Sequence, residues 1–320
     1  KYFLLGAFVS AFVLYGIALL YGATGSTRLD VIAQALGHGG LTPMALLGLL
    51  LLVAGFGFKM SVVPFHAWAP DTYQGAPSPF VAFLSVAPKV ASIVVLVRVL
   101  EIGLAVGGEE WSTLMAVLAA ISMVVGNVLA LVQRDIKRML AYSGISHMGY
   151  VLIPLAAWNS DGWSAIGVYL LAYALMNAGA FAIITALYAK AGEPHLISDL
   201  SGWGYRFPGL SLALTVCMVS LAGIPPTLGF LGKYLVFVHA VREGVLWLAI
   251  LGVLTSLLGA FYYLRVVYTL YMKSEEVEPT VEFDLGSRVA AWIAAGALLV
   301  LGIFLPRIVD LVEGVLRAGG

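Results

Sequence analysis

Five side chains able to carry a proton stand inside otherwise apolar sequence. Lys59 lies in "AGFGFKMSVVPFHAW", Lys89 in "SVAPKVASIVV" and Lys233 in "LAGIPPTLGFLGKYLVF". His66 follows Pro64 by two residues, and His147 lies in "YSGISHMGY". A lysine at the centre of a membrane helix costs roughly 2.5–3.5 kcal/mol on insertion scales. Three such residues therefore favour a polar interior over lipid. Desolvation and a nearby carboxylate act in opposite directions on a lysine's proton affinity, so a buried lysine can load and release a proton as its surroundings change. The competing reading is that each lysine snorkels to an interface or forms a structural pair. Each histidine titrates near neutrality and could relay protons, or could be a satisfied hydrogen-bonder in the core.

The elements that must hold these residues are membrane helices. The chain is 61% hydrophobic and only 11% charged, against about 45–50% and 25% in soluble domains. The apolar runs are continuous, without the alternation of a β-barrel. They predict an all-α polytopic membrane protein with nine spans, at 2–22, 42–68, 77–100, 111–133, 137–157, 163–189, 209–238, 245–272 and 288–306. The first run is too long for a signal peptide. Tyr21, Trp68, Tyr73, Trp111, Trp158, Trp163, Trp203 and Tyr205 fall near span edges, as interfacial anchors do.

Spans two and seven are long and interrupted by proline. They lie five helices apart and so cross in opposite directions, which is the pattern of a transport site between inverted repeats. The middle of span two falls near Gly55, about 6 Å from Lys59 at the α-helical rise, and Lys233 falls about 15 Å beyond the centre of span seven. A break beside Lys59 frees backbone groups and lets water reach the amine. None of the nine runs contains an aspartate or glutamate, so counter-charges are expected on helices or subunits outside this sequence. Asn127, Asn177, Ser146, Tyr142 and Tyr150 could hold water or could simply pack. Arg98 and Arg265 read as snorkelling near span ends, and the acidic run 273–284 as a solvated loop.

Net charge is zero, which leaves no nucleic-acid footprint. One cysteine, Cys217, allows neither a disulfide framework nor a cysteine-ligated iron–sulfur cluster within the chain. No glycine-rich nucleotide loop is recognisable. No cofactor is expected in this chain. The face bearing "QRDIKR" (133–138) collects Lys1, Arg134, Lys137, Arg138, Lys190, Arg206, Lys273 and Arg288, against Arg28, Arg242, Arg307 and Arg317 opposite. The positive-inside rule then places the N-terminus in the cytoplasm and the C-terminus outside.

"GFGFKMSVVPFHAWAPDTYQGAPSP", "RDIKRMLAYSGISHMGY" and "LAGIPPTLGFLGKY" resemble the antiporter-like membrane subunits of respiratory complex I, and among them the subunit N family of NADH-quinone oxidoreductase. The resemblance runs over the whole chain. It implies helices six to fourteen of a fourteen-helix protein built on two inverted five-helix repeats. Residues 1–100 would then be the last three helices of the first repeat, 101–272 the second repeat, and 273–320 the acidic loop and final helix. It also implies that Lys59 is the central pumping lysine, that Lys89 links two half-channels and that Lys233 leads toward the outer face. Lysine at 233 fits subunits N or L, and "TYQGAPSP" favours N. The family's helix-five glutamate would lie before residue 1, and Pro88 departs from the serine usual before the helix-eight lysine.

The expectation is a proton-translocating subunit of an NADH:quinone oxidoreductase in the cell inner membrane, with electron transfer in other subunits and other membrane subunits of complex I as partners. The chain opens Lys-Tyr and is read as a fragment or processed chain. The alternatives are a subunit of a multi-subunit cation/proton antiporter or membrane-bound hydrogenase, and a structural spacer.

Overall fold

Apolar sequence in a bilayer finds no water for its backbone, so each run must close its own hydrogen bonds as helix. A computed structural model describes residues 2–37, 39–157, 162–186, 195–272 and 285–304. Trp158, the acidic run 273–284 and the bases Lys1, Lys190, Lys273, Arg307 and Arg317 lie outside them. The helices are α1 (Tyr2–Thr24), α2 (Leu29–Gly37), α3 (Pro43–Met60), α4 (Ala69–Gly75), α5 (Ser78–Arg98), α6 (Gly108–Leu131), α7 (Ile136–Ala156), α8 (Gly162–Ala186), α9 (Trp203–Arg206), α10 (Pro208–Ala222), α11 (Leu228–Arg242), α12 (Leu246–Met272) and α13 (Leu285–Ile303). No strand occurs among the described residues, only an isolated bridge between Asp135 and Leu196.

Eight described helices are long and apolar enough to cross a membrane. The ninth span is the pair α10 and α11, which together run from Pro208 to Arg242 around a non-helical turn. Span two is interrupted beside Lys59, as its sequence predicts. Its helix stops at Met60 rather than 68, because Ser61 takes a left-handed conformation (φ 63°) and donates its backbone N–H to Gly57 and Phe58. Eighteen helical residues cover only about 27 Å, so the segment through α4 completes the crossing of a core about 30 Å thick. Lys59 is therefore in the last turn of α3, directly before the break. Short elements escaped the hydropathy pattern. The helix α2 lies across the turn after α5, with Ile32 and Leu36 buried. Before it, Arg28 donates to Asp30 at 2.8 and 3.2 Å and holds that carboxyl below its ordinary range.

The centre of the bundle is α7, buried at every position from Ile136 to Leu155 except Arg138 and Tyr142. Glycines let α6 come close to it. A Cβ at Gly126 would sit 2.6 Å from the Ser146 backbone nitrogen, and one at Gly149 2.9 Å from the Ala119 carbonyl oxygen. Small residues at such contacts allow backbone-to-backbone packing where lipid offers no hydrophobic drive. By contrast α1 is peripheral, burying only Val9, Gly16 and Leu20.

One end of α7 is pinned to the break after α3. Asp135 caps α7 by accepting from the Arg138 backbone N–H at 2.8 Å, as a short acidic side chain does at a helix start. Arg138 pairs with Asp71 at 2.7 Å, Gln74 donates to Asp135 at 3.0 Å, and Lys137 donates to the Ala76 carbonyl at 3.0 Å. Two of the bases counted for orientation thus also bolt α4 to α7.

Candidate proton-relay site

Lys89 sits midway along α5, completely buried. Its Nζ donates to the Tyr173 hydroxyl on α8 at 3.2 Å. It also lies 5.6 Å from the Tyr173 ring centroid and 5.9 Å from that of Tyr73 on α4, within cation–π range. Gly144 on α7 makes the room, since a Cβ there would meet both Lys89 Nζ and Tyr173 Oη at 2.9 Å.

His147, one turn along α7, is also buried. Its Nδ1 is 2.8 Å from the Tyr169 hydroxyl and its Nε2 3.0 Å from that of Tyr263. A neutral imidazole donates from one nitrogen and accepts at the other, so exchanging tautomers reverses both bonds. The Tyr173 ring packs 5.5 Å from the imidazole and the Tyr150 ring 5.9 Å from it. Tyr150 accepts from Asn127 at 3.2 Å and donates to Thr255 at 3.2 Å. Tyr262 donates to Asn127 at 2.9 Å.

Lys233 closes the series. Its Cα lies on the second turn of α11, but the side chain folds back to the break in span seven. Nζ donates to the carbonyls of Leu221 and Ala222, both at 3.0 Å, and to Ser256 at 2.7 Å. It stands 5.4 Å from the Tyr150 ring. Those carbonyls end α10, where a helix has no internal partner for them and its dipole favours a cation. Gly223 turns the chain at φ 82° and clears space, since a Cβ would meet Lys233 Cδ at 2.8 Å. The ammonium is thus at the break, not 15 Å beyond it.

Lys59 and His66 stand apart from this series. Lys59 is half-buried, and no hydrogen bond or ion pair engages it among the described residues. His66 lies in the non-helical segment after α3, its Nδ1 buried without a partner there. No hydrogen bond joins either to the Lys89–His147–Lys233 series among the described residues.

Residues 1–259 match the family model described as the NADH:quinone oxidoreductase/Mrp antiporter transmembrane family. The chain belongs to that family. NADH-quinone oxidoreductase subunit N of Trichlorobacter lovleyi is 45% identical over 319 residues, covering 99% of this chain and 63% of the relative. The chain therefore spans a little under two-thirds of that relative's length. A chain of respiratory complex I from Thermus thermophilus with bound aureothin superposes with a TM-score of 0.83 at 39% identity, covering 97% of this chain and 67% of that one. A chain of the Mrp complex from Dietzia superposes at 0.87 with 22% identity, covering 97% and 66%; that likeness shows a shared fold.

Within this family member, sequence reasoning singles out the lysines but not the hydroxyls packed among Lys89, His147 and Lys233. Tyr169, Tyr173, Tyr263, Thr255 and Ser256 were missed. A signal existed, for Tyr169 and Tyr173 stand one helical turn apart in a span with no charge. Arg265 also differs from its snorkelling expectation. It donates to the carbonyls of Leu131 at 3.1 Å and Gln133 at 2.6 Å and so caps the end of α6.

Proposed function

We propose that this chain is the proton-translocating portion of a subunit N-type membrane subunit of NADH-quinone oxidoreductase. It works among other membrane subunits in a bacterial inner membrane, driven by electron transfer elsewhere in the assembly. The observation that carries the reading is the fully buried cluster of Lys89, Tyr173, His147, Tyr150 and Lys233, in which Lys89 donates to Tyr173 and the other neighbours meet through their rings. Lys89 and Lys233 take up and release protons, and His147 passes them between the Tyr169 and Tyr263 hydroxyls by exchanging tautomers. Lys59, beside its own helix break, exchanges protons with groups outside the described residues. The boundaries 1–100, 101–272 and 273–320 divide the chain into the end of one inverted repeat, a second repeat and a final helix. The basic face around residues 133–138 lies in the cytoplasm, with the N-terminus on that side and the C-terminus opposite. The redox groups reside in other subunits.

The test is Lys59→Met in the full-length subunit, in inverted membrane vesicles whose complex has been checked for assembly. NADH-driven acidification and quinone reduction are recorded together. Loss of both is expected, because proton movement and electron transfer are tightly coupled. Normal values for both would overturn the role of Lys59 and favour a spacer. Acidification exchanged for an imposed sodium gradient, without NADH, would instead favour the cation/proton antiporter reading.

A further inference from the structure

Asn177 lies on α8 one turn beyond Tyr173, and Phe181 lies one turn beyond Asn177, so the three share a face. Tyr73 brackets that face. Its ring is 6.0 Å from that of Phe181 and 5.9 Å from Lys89 Nζ, which is bonded to Tyr173. Asn177 therefore stands on the helix face that Tyr73 and Lys89 flank. Asn177 and Tyr73 are both completely buried. Neither the Asn177 amide nitrogen, nor its oxygen, nor the Tyr73 hydroxyl has a hydrogen-bond partner among the described residues.

An asparagine carries two donors and an acceptor with two lone pairs. Burying an amide with none of them met is costly, and more than about 90% of buried polar groups are satisfied. A leucine would fill the same place without that penalty. Asn177, Tyr73 and Lys89 together offer the two to four polar partners that a buried water needs. We propose that Asn177 and Tyr73 hold water against the Lys89 ammonium. This hydrated site is the lysine's route toward the end of the bundle where α4 is bolted to α7. Both α4 and the C-terminal half of α8 lie on that side of Lys89. The inference rests on the proton-carrying role proposed above for Lys89, and it adds the side from which that lysine is served and the residues that serve it.

The experiment combines a cryo-EM map of the assembled complex, at a resolution that shows ordered water, with vesicle assays of Asn177→Leu, Tyr73→Phe and Lys89→Met. Water density is expected within hydrogen-bond distance of Asn177, Tyr73 Oη and Lys89 Nζ. Asn177→Leu should still assemble, since its side chain takes the place of the amide and its water and leaves no buried amide behind. Its acidification should fall about tenfold, the effect of roughly 1.4 kcal/mol added to a transfer barrier. Absence of density beside Asn177 overturns the site. Density with full acidification in Asn177→Leu, while Lys89→Met is impaired, overturns the route alone. Normal acidification in Lys89→Met overturns the proton-carrying role of that lysine, and the route with it.

Discussion

A lysine in a low-dielectric bundle is useful only if its ammonium is held within reach of another polar group, and at Lys89 a missing side chain does the holding. Gly144 leaves the gap into which Lys89 Nζ and Tyr173 Oη both fit. Gly144→Ala would push on two atoms at the far ends of flexible side chains, so the structure can yield locally. The expected stability loss is about 1 kcal/mol, the low end for overpacking a core, seen as a small drop in thermal midpoint. The ammonium would nevertheless leave its hydrogen bond, and NADH-driven acidification in vesicles should fall although no titratable residue has changed. Full acidification would mean that the position of Lys89 does not matter to transport. The lysines were visible in the sequence because charge inside an apolar run is expensive. Gly144 was not, because its meaning lies in a neighbour 55 residues away on another helix.

Elements were legible where one physical rule governs them. Continuous apolar runs close on themselves as helices in lipid, so all nine spans appear, and proline with glycine marked the break between α10 and α11. What hydropathy cannot see is a placement imposed by tertiary bonds. The stop of α3 at Met60 comes from the left-handed turn at Ser61, but the placement of α4 draws on the clamp to α7, whose partners Asp71 and Arg138 lie far apart in the chain. That pair is partly exposed, so its direct worth is about 0.5 kcal/mol. Its larger consequence is positional, because α4 carries Tyr73 beneath Lys89. Asp71→Asn should speed amide hydrogen exchange in residues 69–76 severalfold, since local opening free energies set exchange rates, while α6 exchanges as before. Uniform acceleration across the bundle would show that the pair serves global stability, and no change would remove it from the clamp.

At the scale of the whole molecule, the direction of the polar series decides what each member must do. Lys89 is midway along α5, His147 along α7 and Tyr173 along α8, and the Lys233 ammonium stands at the break between α10 and α11. Groups central to their own spans share one depth, so the series runs across the bundle, parallel to the membrane plane. It does not run from one surface to the other. On the proposed function, a proton crossing the membrane would enter near one lysine, move sideways and leave near the other, with His147 as the link between them. If each lysine instead served its own vertical path, His147 would be dispensable. His147→Gln separates the two cases. Glutamine keeps a donor and an acceptor for the Tyr169 and Tyr263 hydroxyls, which limits the penalty of about 1–3 kcal/mol for each buried group left unmet. It cannot exchange tautomers or carry a charge at neutral pH. Sideways transfer predicts an assembled complex whose acidification falls about tenfold, with Lys89 and Lys233 both intact. Acidification at the parental rate in His147→Gln would leave the lysines working independently and make the tyrosine–histidine series a packing device.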